Sequence, residues 1–131
     1  MGRPHLHSRT NVHLLNYHLV WCPKRRRRWL TGEVRAALCD LLASIAGERG
    51  WDLIALEVMP DHVHGFIGAP PRESVAQIVR RLKGSSSREL RKRFRRLRSL
   101  PVLWSPSYFA GSAGNVSSDT IERYIADQRT R

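Results

Sequence analysis

Residues 59–67 read Met59-Pro60-Asp61-His62-Val63-His64-Gly65-Phe66-Ile67. An apolar run from Leu53 to Val58 precedes them, and Pro-Asp is a favoured turn dipeptide. The pattern predicts a β-hairpin whose second strand begins at His62. Because successive side chains of a strand point to opposite faces, His62 and His64 should share one face while Val63 and Ile67 occupy the other.

The two histidines are candidate metal ligands. Their Cα atoms would lie about 6.5–7 Å apart, close enough for both imidazoles to bind one ion. Asp61 is placed either to orient an imidazole ring or to close the turn. The alternative is an incidental pair, since the segment 5–7 has the same His-x-His spacing. That segment lies in a polar terminus without an apolar strand around it, and we assign it no role.

A capped helix is predicted over residues 117–128. Asp119 can serve as its N-cap, and Glu122 follows three residues later as in a capping box. Tyr124 and Gln128 stand one helical turn apart and therefore point the same way. Alternatively, Tyr124 packs in the interior and Gln128 is a solvated polar residue. Tyr124 and Gln128 become candidate site residues only when they are considered together with His62 and His64.

The chain has three tyrosines, at positions 17, 108 and 124. Tyr17 lies within an apolar alternating strand, and Tyr108 is expected to pack in a short apolar strand. Tyr124 alone is followed one turn later by a side chain that can bind a metal. Tyr124 is therefore the tyrosine best placed to act beside a bound metal ion.

The positive charge of the chain is concentrated in two segments. The chain has 131 residues, 23 Lys and Arg against 11 Asp and Glu, and a formal net charge of +12. Fifteen of the 23 basic residues fall in segments 24–28 and 80–98, and the second contains a single acid, Glu89. Such a one-sided charge indicates a polyanionic partner. The candidate DNA-contacting residues are Lys24, Arg25, Arg26, Arg80, Arg81, Lys83, Arg88, Arg91, Lys92 and Arg95.

The element order predicted along the chain is β-α-β-β-α-α-β-α. Strands are expected near 12–21, 51–59, 62–68 and Tyr108, and helices near 32–49, 74–83, around Leu90 to Leu97 and at the C-terminus. Residues 84–87, Gly-Ser-Ser-Ser, should interrupt the two basic helices. The order predicts an α/β chain of the α+β type, with an antiparallel sheet of about four strands, helices packed on it, and a split β-α-β arrangement like that of ferredoxin or RRM domains.

Length and composition set the class of protein. A chain of 131 residues is expected to form one domain, residues 1–131. No apolar run reaches about 18 residues and the N-terminus is unlike a signal peptide, so we expect a cytoplasmic protein without a membrane partner. Cys22 and Cys39 lack the Cys-x-x-Cys spacing and are expected to be reduced packing residues.

These features together resemble the HUH-class (His-hydrophobe-His) tyrosine transposases, specifically the small insertion-sequence enzymes that move single-stranded DNA. The resemblance spans nearly the whole chain. Its segments are Tyr17-His18-Leu19-Val20-Trp21-Cys22-Pro23-Lys24, Pro60-Asp61-His62-Val63-His64, Trp104-Ser105-Pro106-Ser107-Tyr108-Phe109, Gly114-Asn115-Val116-Ser117, Tyr124-Ile125 and Gln128. One departure is visible, because the family commonly has an aromatic residue soon after the Cys-Pro-Lys segment, where this chain has four arginines.

The resemblance implies a single HUH-type transposase domain and a mechanism. Tyr124 would cleave a DNA strand and form a covalent 5′-phosphotyrosine. His62, His64 and Gln128 would hold Mg²⁺ or Mn²⁺, and Asp61 would contact this ligand set without binding the ion. These three ligands are neutral, so the ion would keep its full charge toward the phosphate. Imidazoles alone would equally permit zinc, cobalt or nickel.

The resemblance also implies partners and a location. The DNA would be single-stranded with hairpin ends recognised by the basic helices. The protein would be a homodimer in which the helix carrying Tyr124 can be contributed across subunits. The location would be the prokaryotic cytosol, at the nucleoid when DNA is bound.

Other functions remain open on the sequence. A non-catalytic, basic nucleic-acid-binding module would explain the charge but leaves His62, His64, Tyr124 and Gln128 without a role. Another HUH nickase, of plasmid replication or conjugation, usually sits within a larger chain. A hydrolase using metal-bound water would need a carboxylate base, and Asp61 is the only one evident beside the histidines.

Overall fold

The computed structural model describes residues 14–112 and 118–130. The strands are β1 (Leu15–Trp21), β2 (Asp52–Met59), β3 (His62–Ala69) and β4 (Phe109–Ser112). The helices are α1 (Gly32–Arg49), α2 (Val75–Arg93), the single turn α3 (Arg95–Arg98) and α4 (Ser118–Asp127), and short 3₁₀ turns span Lys24–Arg26 and Gln128–Thr130.

The four strands form one antiparallel sheet in the order β2-β3-β1-β4. Because β1 and β2 are both antiparallel to β3, they run parallel to each other, and α1 connects them around the inserted strand. This is the split β-α-β arrangement, so the predicted fold class is confirmed. The start predicted for the first strand, near Val12, lies outside the described residues.

The hairpin at Pro60-Asp61 is confirmed, since Met59 pairs with His62 across a two-residue turn. Val63 and Ile67 are buried, whereas His62 and His64 are partly exposed on the opposite face. The predicted alternation therefore holds along β3.

A line of paired residues crosses the sheet on the face that bears His62 and His64, which we call the histidine face. His64 lies opposite Val20 of β1, and Val20 lies opposite Phe109 of β4. Residues directly opposite in antiparallel strands point to the same side of the sheet. The side chains of His64, Val20 and Phe109 thus share one face.

The other face of the sheet carries the hydrophobic core. Its strand residues pack with the apolar stripes of α1 and α2, and the cluster includes Leu19, Trp21, Val63, Ile67, Leu38, Leu42, Ile78, Val79 and Leu82. Fully burying a side chain of this kind contributes roughly 1.5–3 kcal/mol. Since α1 and α2 occupy this face, neither of these two helices covers the histidine face.

The predicted interruption at residues 84–87 is wrong, because α2 continues from Val75 to Arg93. Ser86 is fully buried, and its Oγ donates a hydrogen bond to the Lys83 carbonyl (3.2 Å). The Trp104 indole Nε1 donates to the same carbonyl (3.1 Å) and to Ser86 Oγ (3.2 Å). This packing against Trp104 outweighs the weak helix propensity of glycine and serine. The helix ends instead at Phe94, whose backbone is extended.

The terminal helix forms close to the predicted range, but Gln128 begins the 3₁₀ turn that follows it. Helix α4 begins at Ser118, so Asp119 lies in its first turn and is not the N-cap. An acid there still interacts favourably with the helix dipole. Across 14–112 and 118–130, no helix combines the length and apolar character needed to span a membrane.

Candidate active site

Asp61 holds His62 in one orientation. Asp61 Oδ1 lies 2.9 Å from His62 Nδ1, and Asp61 Oδ2 lies 2.7 Å from Arg26 Nε. Burial alone would raise the pKa of Asp61, but the hydrogen bond from His62 and the charge of Arg26 hold this pKa below its ordinary value. An ionised Asp61 accepts the Nδ1 hydrogen and leaves the lone pair of His62 Nε2 available to a metal.

His64 has a second imidazole beside it. Its Nε2 lies 3.3 Å from Nδ1 of His18, which stacks on Phe66 with ring centroids 4.7 Å apart. Burial lowers the pKa of His64, and the repulsion from His18 lowers it further. A neutral imidazole is the form that binds metal ions. His18 was not among the predicted site residues, although pairing two strands that each carry a histidine could have suggested it.

Tyr124 and Gln128 meet at two serine hydroxyls. Ser105 Oγ and Ser107 Oγ each lie 3.0 Å from Gln128 Oε1, and Ser107 Oγ lies 3.1 Å from the Tyr124 hydroxyl. An amide oxygen only accepts, so both serines donate to Gln128 and Tyr124 donates to Ser107. The alternative of a solvated Gln128 is wrong, because only 2% of this residue is exposed.

Lys83 supports the segment 105–107, which we call the serine loop. Its Nζ donates to the carbonyl oxygens of Ser105 (2.6 Å) and Ser107 (3.1 Å). Burial lowers the pKa of Lys83 to about 8. Lys83 was a candidate DNA contact, but in this structure its amine binds the chain itself. Sequence reasoning missed the serine loop as a partner of α4, although its motif belonged to the resemblance.

The histidines of β3 and the C-terminal helix α4 lie on one face of the sheet. The ring centroids of Tyr124 and Phe109 are 6.0 Å apart, and Phe109 shares its face with His64. Arg26 Nη1 donates to the carbonyl of Ile125 in α4 at 3.2 Å, while its Nε pairs with Asp61. Arg26 therefore connects the helix that carries Tyr124 to the carboxylate that orients His62.

A metal ion at this site would have the two imidazoles of His62 and His64 as its first protein ligands. Among residues 14–112 and 118–130, no group of three or more His, Cys, Asp or Glu side chains is arranged to hold a metal. A third protein ligand would therefore have to be of another type, such as the amide oxygen of Gln128. That oxygen accepts from both serines here, so it would have to give up at least one of these bonds to bind an ion.

The other two tyrosines differ from Tyr124 in their surroundings. Tyr17 on β1 packs against the hydrophobic core. Tyr108 directly precedes β4 and is 36% exposed, so the expectation that it packs is wrong.

The ten candidate DNA contacts divide into two groups. Arg26, Lys83 and Arg91 donate hydrogen bonds to backbone carbonyls or pair with Asp61. Lys24 is partly exposed, and the remaining candidates are exposed: Arg25, Arg80, Arg81, Arg88, Lys92 and Arg95. An open groove of about 700 Å³ is lined by five arginines and two acids: Arg49, Arg72, Arg80, Arg81, Arg88, Glu48 and Glu73. Its charge suits a phosphate backbone.

Comparisons with known proteins point in one direction. Residues 11–128 match the family described as IS200-like transposases. The ISDra2 transposase TnpA of Deinococcus radiodurans is 37% identical over 127 residues, which cover 95% of this chain and 91% of that protein. The transposase of insertion sequence IS200 from Salmonella typhimurium is 30% identical over 125 residues, covering 93% and 80%.

Solved structures agree with this assignment. The crystal structure of a putative transposase from Deinococcus radiodurans superposes with a TM-score of 0.85 at 38% identity, covering 95% of this chain and 98% of that one. A REP-associated tyrosine transposase bound to a REP hairpin gives a TM-score of 0.60 at 15% identity, covering 89% and 66%, and shows the shared fold. The predicted resemblance to HUH tyrosine transposases is thereby confirmed, and the chain belongs to the family of IS200-like transposases, enzymes that move DNA.

Proposed function

We propose that this transposase cleaves and rejoins single-stranded DNA through a covalent bond between Tyr124 and a 5′-phosphate. The Tyr124 oxygen would attack phosphorus and form a P–O bond, while the bond to the 3′ oxygen breaks and a 3′-hydroxyl leaves. Attack by another 3′-hydroxyl would reverse the step and join strands without a nucleotide triphosphate. The observation that carries the proposal is that α4 docks on the face of the sheet that bears His62 and His64.

The residues around the phosphate would have two roles, binding of the metal ion and orientation of a ligand. His62 and His64, with Gln128 once its amide oxygen leaves a serine, would hold Mg²⁺ or Mn²⁺. Asp61 would keep the ring of His62 in its ligating orientation. A divalent ion bound there would polarise a phosphate oxygen and stabilise the charge that develops on it.

The DNA contacts would come from the exposed arginines of α2 and the loop after β1. The groove beside α2 carries more arginines than acids, and a structural neighbour was solved with a REP hairpin. We therefore propose that hairpin DNA binds at the basic helices while the adjoining single strand reaches the histidine face. We also propose that the protein acts in the cytoplasm, at the nucleoid when DNA is bound.

Cleavage should require both a divalent ion and a single strand. Incubation of the protein with end-labelled oligonucleotides carrying a hairpin and a single-stranded flank should give cleaved product with Mn²⁺. Chelation by EDTA should remove the product, and the fully paired duplex of the same sequence should resist cleavage. Undiminished cleavage in EDTA would contradict the role proposed for the histidines.

We further propose that the active enzyme is a homodimer in which α4 can complete the site of the partner subunit. A mixture of Tyr124→Phe and His64→Ala chains should then regain cleavage, because one combined site would hold both an intact tyrosine and an intact histidine pair. If subunits exchange freely, random mixing predicts recovery of about a quarter of the wild-type sites. A mixture as inactive as either variant alone would show that each subunit builds its own site.

A further inference from the structure

Arg25 and Arg26 hold an uncommon backbone conformation in the 3₁₀ turn Lys24–Arg26 that follows β1. Their φ angles are 58° and 57°, both in the left-handed region. Residues other than glycine seldom adopt it, and two in succession persist only where surrounding contacts impose it. The backbone is fixed by bonds from Lys24 N to the Leu103 carbonyl (2.8 Å) and from Arg26 N to the Pro23 carbonyl (2.7 Å).

This turn carries the Arg26 side chain into the site. Arg26 Nε pairs with Asp61 Oδ2 at 2.7 Å and Nη1 donates to the Ile125 carbonyl at 3.2 Å, and 19% of the side chain is exposed. Arg25 has the same charge and φ but is exposed. The two arginines are therefore a natural pair of test position and control.

The contact with Ile125 provides a hydrogen-bond donor for a carbonyl group in the last turn of α4. The last four carbonyl groups of a helix lack partners within the helix, and a cation there interacts favourably with the helix dipole. Ile125 lies in the last turn of α4, which contains no basic residue of its own. Arg26 supplies a donor and a positive charge to this turn from a distant part of the chain.

We propose that Arg26 is a positioning residue that docks α4 against the histidine half of the site. Its planar fork binds two acceptors at once, Asp61 and the Ile125 carbonyl, which a single ammonium group is poorly shaped to do. The role deepens the proposed function and rests on it. It holds whether α4 comes from the same chain or from a second copy, since either would present the same carbonyl.

Hydrogen exchange tests the docking without DNA or metal. In Arg26→Gln the amides of residues 121–127 should exchange about tenfold faster or more, as expected for loss of a charged hydrogen bond. Amides of β3 should keep their protection, which shows that the sheet is intact. Arg25→Gln, which removes the same charge from the same turn, should leave exchange in α4 unchanged. Equal acceleration by both variants, or by neither, would overturn the proposal.

Arg26→Lys tests whether docking needs the planar guanidinium group or only its positive charge. This variant keeps a cation that can pair with Asp61, yet we expect α4 to exchange nearly as fast as in Arg26→Gln. Wild-type exchange in Arg26→Lys would mean that charge alone suffices and would overturn the bidentate role.

Kinetics give a second readout when kcat is expressed per folded protein, because partial unfolding lowers the apparent kcat without changing KM. In Arg26→Gln, kcat for oligonucleotide cleavage should fall about 10–100-fold while KM stays within about twofold, because the residue positions α4 and does not bind DNA. A rise in KM with kcat unchanged would overturn the assignment. The exchange result stands apart from catalysis, so failure of Tyr124 as the nucleophile and failure of Arg26 as a docking residue are distinguishable.

Discussion

Tyr124→Phe should abolish the covalent protein–DNA product. Removing the nucleophilic oxygen leaves no atom to attack phosphorus, and loss of a nucleophile lowers rates by more than about 10³-fold. DNA binding should remain, because the phenyl ring keeps its place beside Phe109 and no basic residue changes. Denaturing gels with a labelled strand measure the adduct, and gel shifts measure binding.

Tyr108→Phe is the matched control for this substitution. Tyr108 is 36% exposed and lies one residue beyond the serine loop, so it shares the region but not the contacts of Tyr124. The control should form adduct at the wild-type rate. Adduct formation by Tyr124→Phe, or its loss from Tyr108→Phe, would show that the nucleophile has been assigned to the wrong residue.

The double variant His62→Ala/His64→Ala should lose both Mn²⁺ binding and cleavage. Both imidazoles lie at the surface of the histidine face, so their removal should spare the core on the other side of the sheet. Cleavage should fall by more than about 10³-fold, since several kcal/mol of charge stabilisation would be lost with the ion. Electron paramagnetic resonance of added Mn²⁺ reports the bound fraction without DNA.

His5→Ala/His7→Ala is the control for the histidine pair, because it removes the same His-x-His pattern elsewhere in the chain. This variant should bind Mn²⁺ and cleave DNA as the wild type does. If the two double variants lose Mn²⁺ binding equally, the ion is not specific to the pair on β3.

Local patterns made much of the fold predictable. The turn at Pro60-Asp61 and the alternation after it depend on residues within a few positions, so the hairpin and its two faces follow from the sequence. The course of α2 was not predictable in this way. Gly84 and the serines after it favour a break, and the contact that overrides this preference comes from Trp104, about twenty residues away.

The site could be predicted only as separate parts. His62, His64 and Tyr124 stand out by residue type and spacing, and the structure places them on one face. The connections between them join distant positions: Arg26 with Ile125, Ser107 with Gln128, and Lys83 with the serine loop. Charge patterning marked Arg26 and Lys83 as candidate DNA contacts, because a sequence does not show which cations find an acceptor inside the fold.

Mapping the covalent adduct tests the central claim most directly. Wild-type protein would be incubated with single-stranded oligonucleotides and Mn²⁺, digested with protease and nuclease, and analysed by mass spectrometry. We predict a nucleotide attached through its 5′-phosphate to the peptide that contains Tyr124, and no such peptide when Mn²⁺ is withheld. An adduct on another residue, or the same adduct without a divalent ion, would contradict the mechanism.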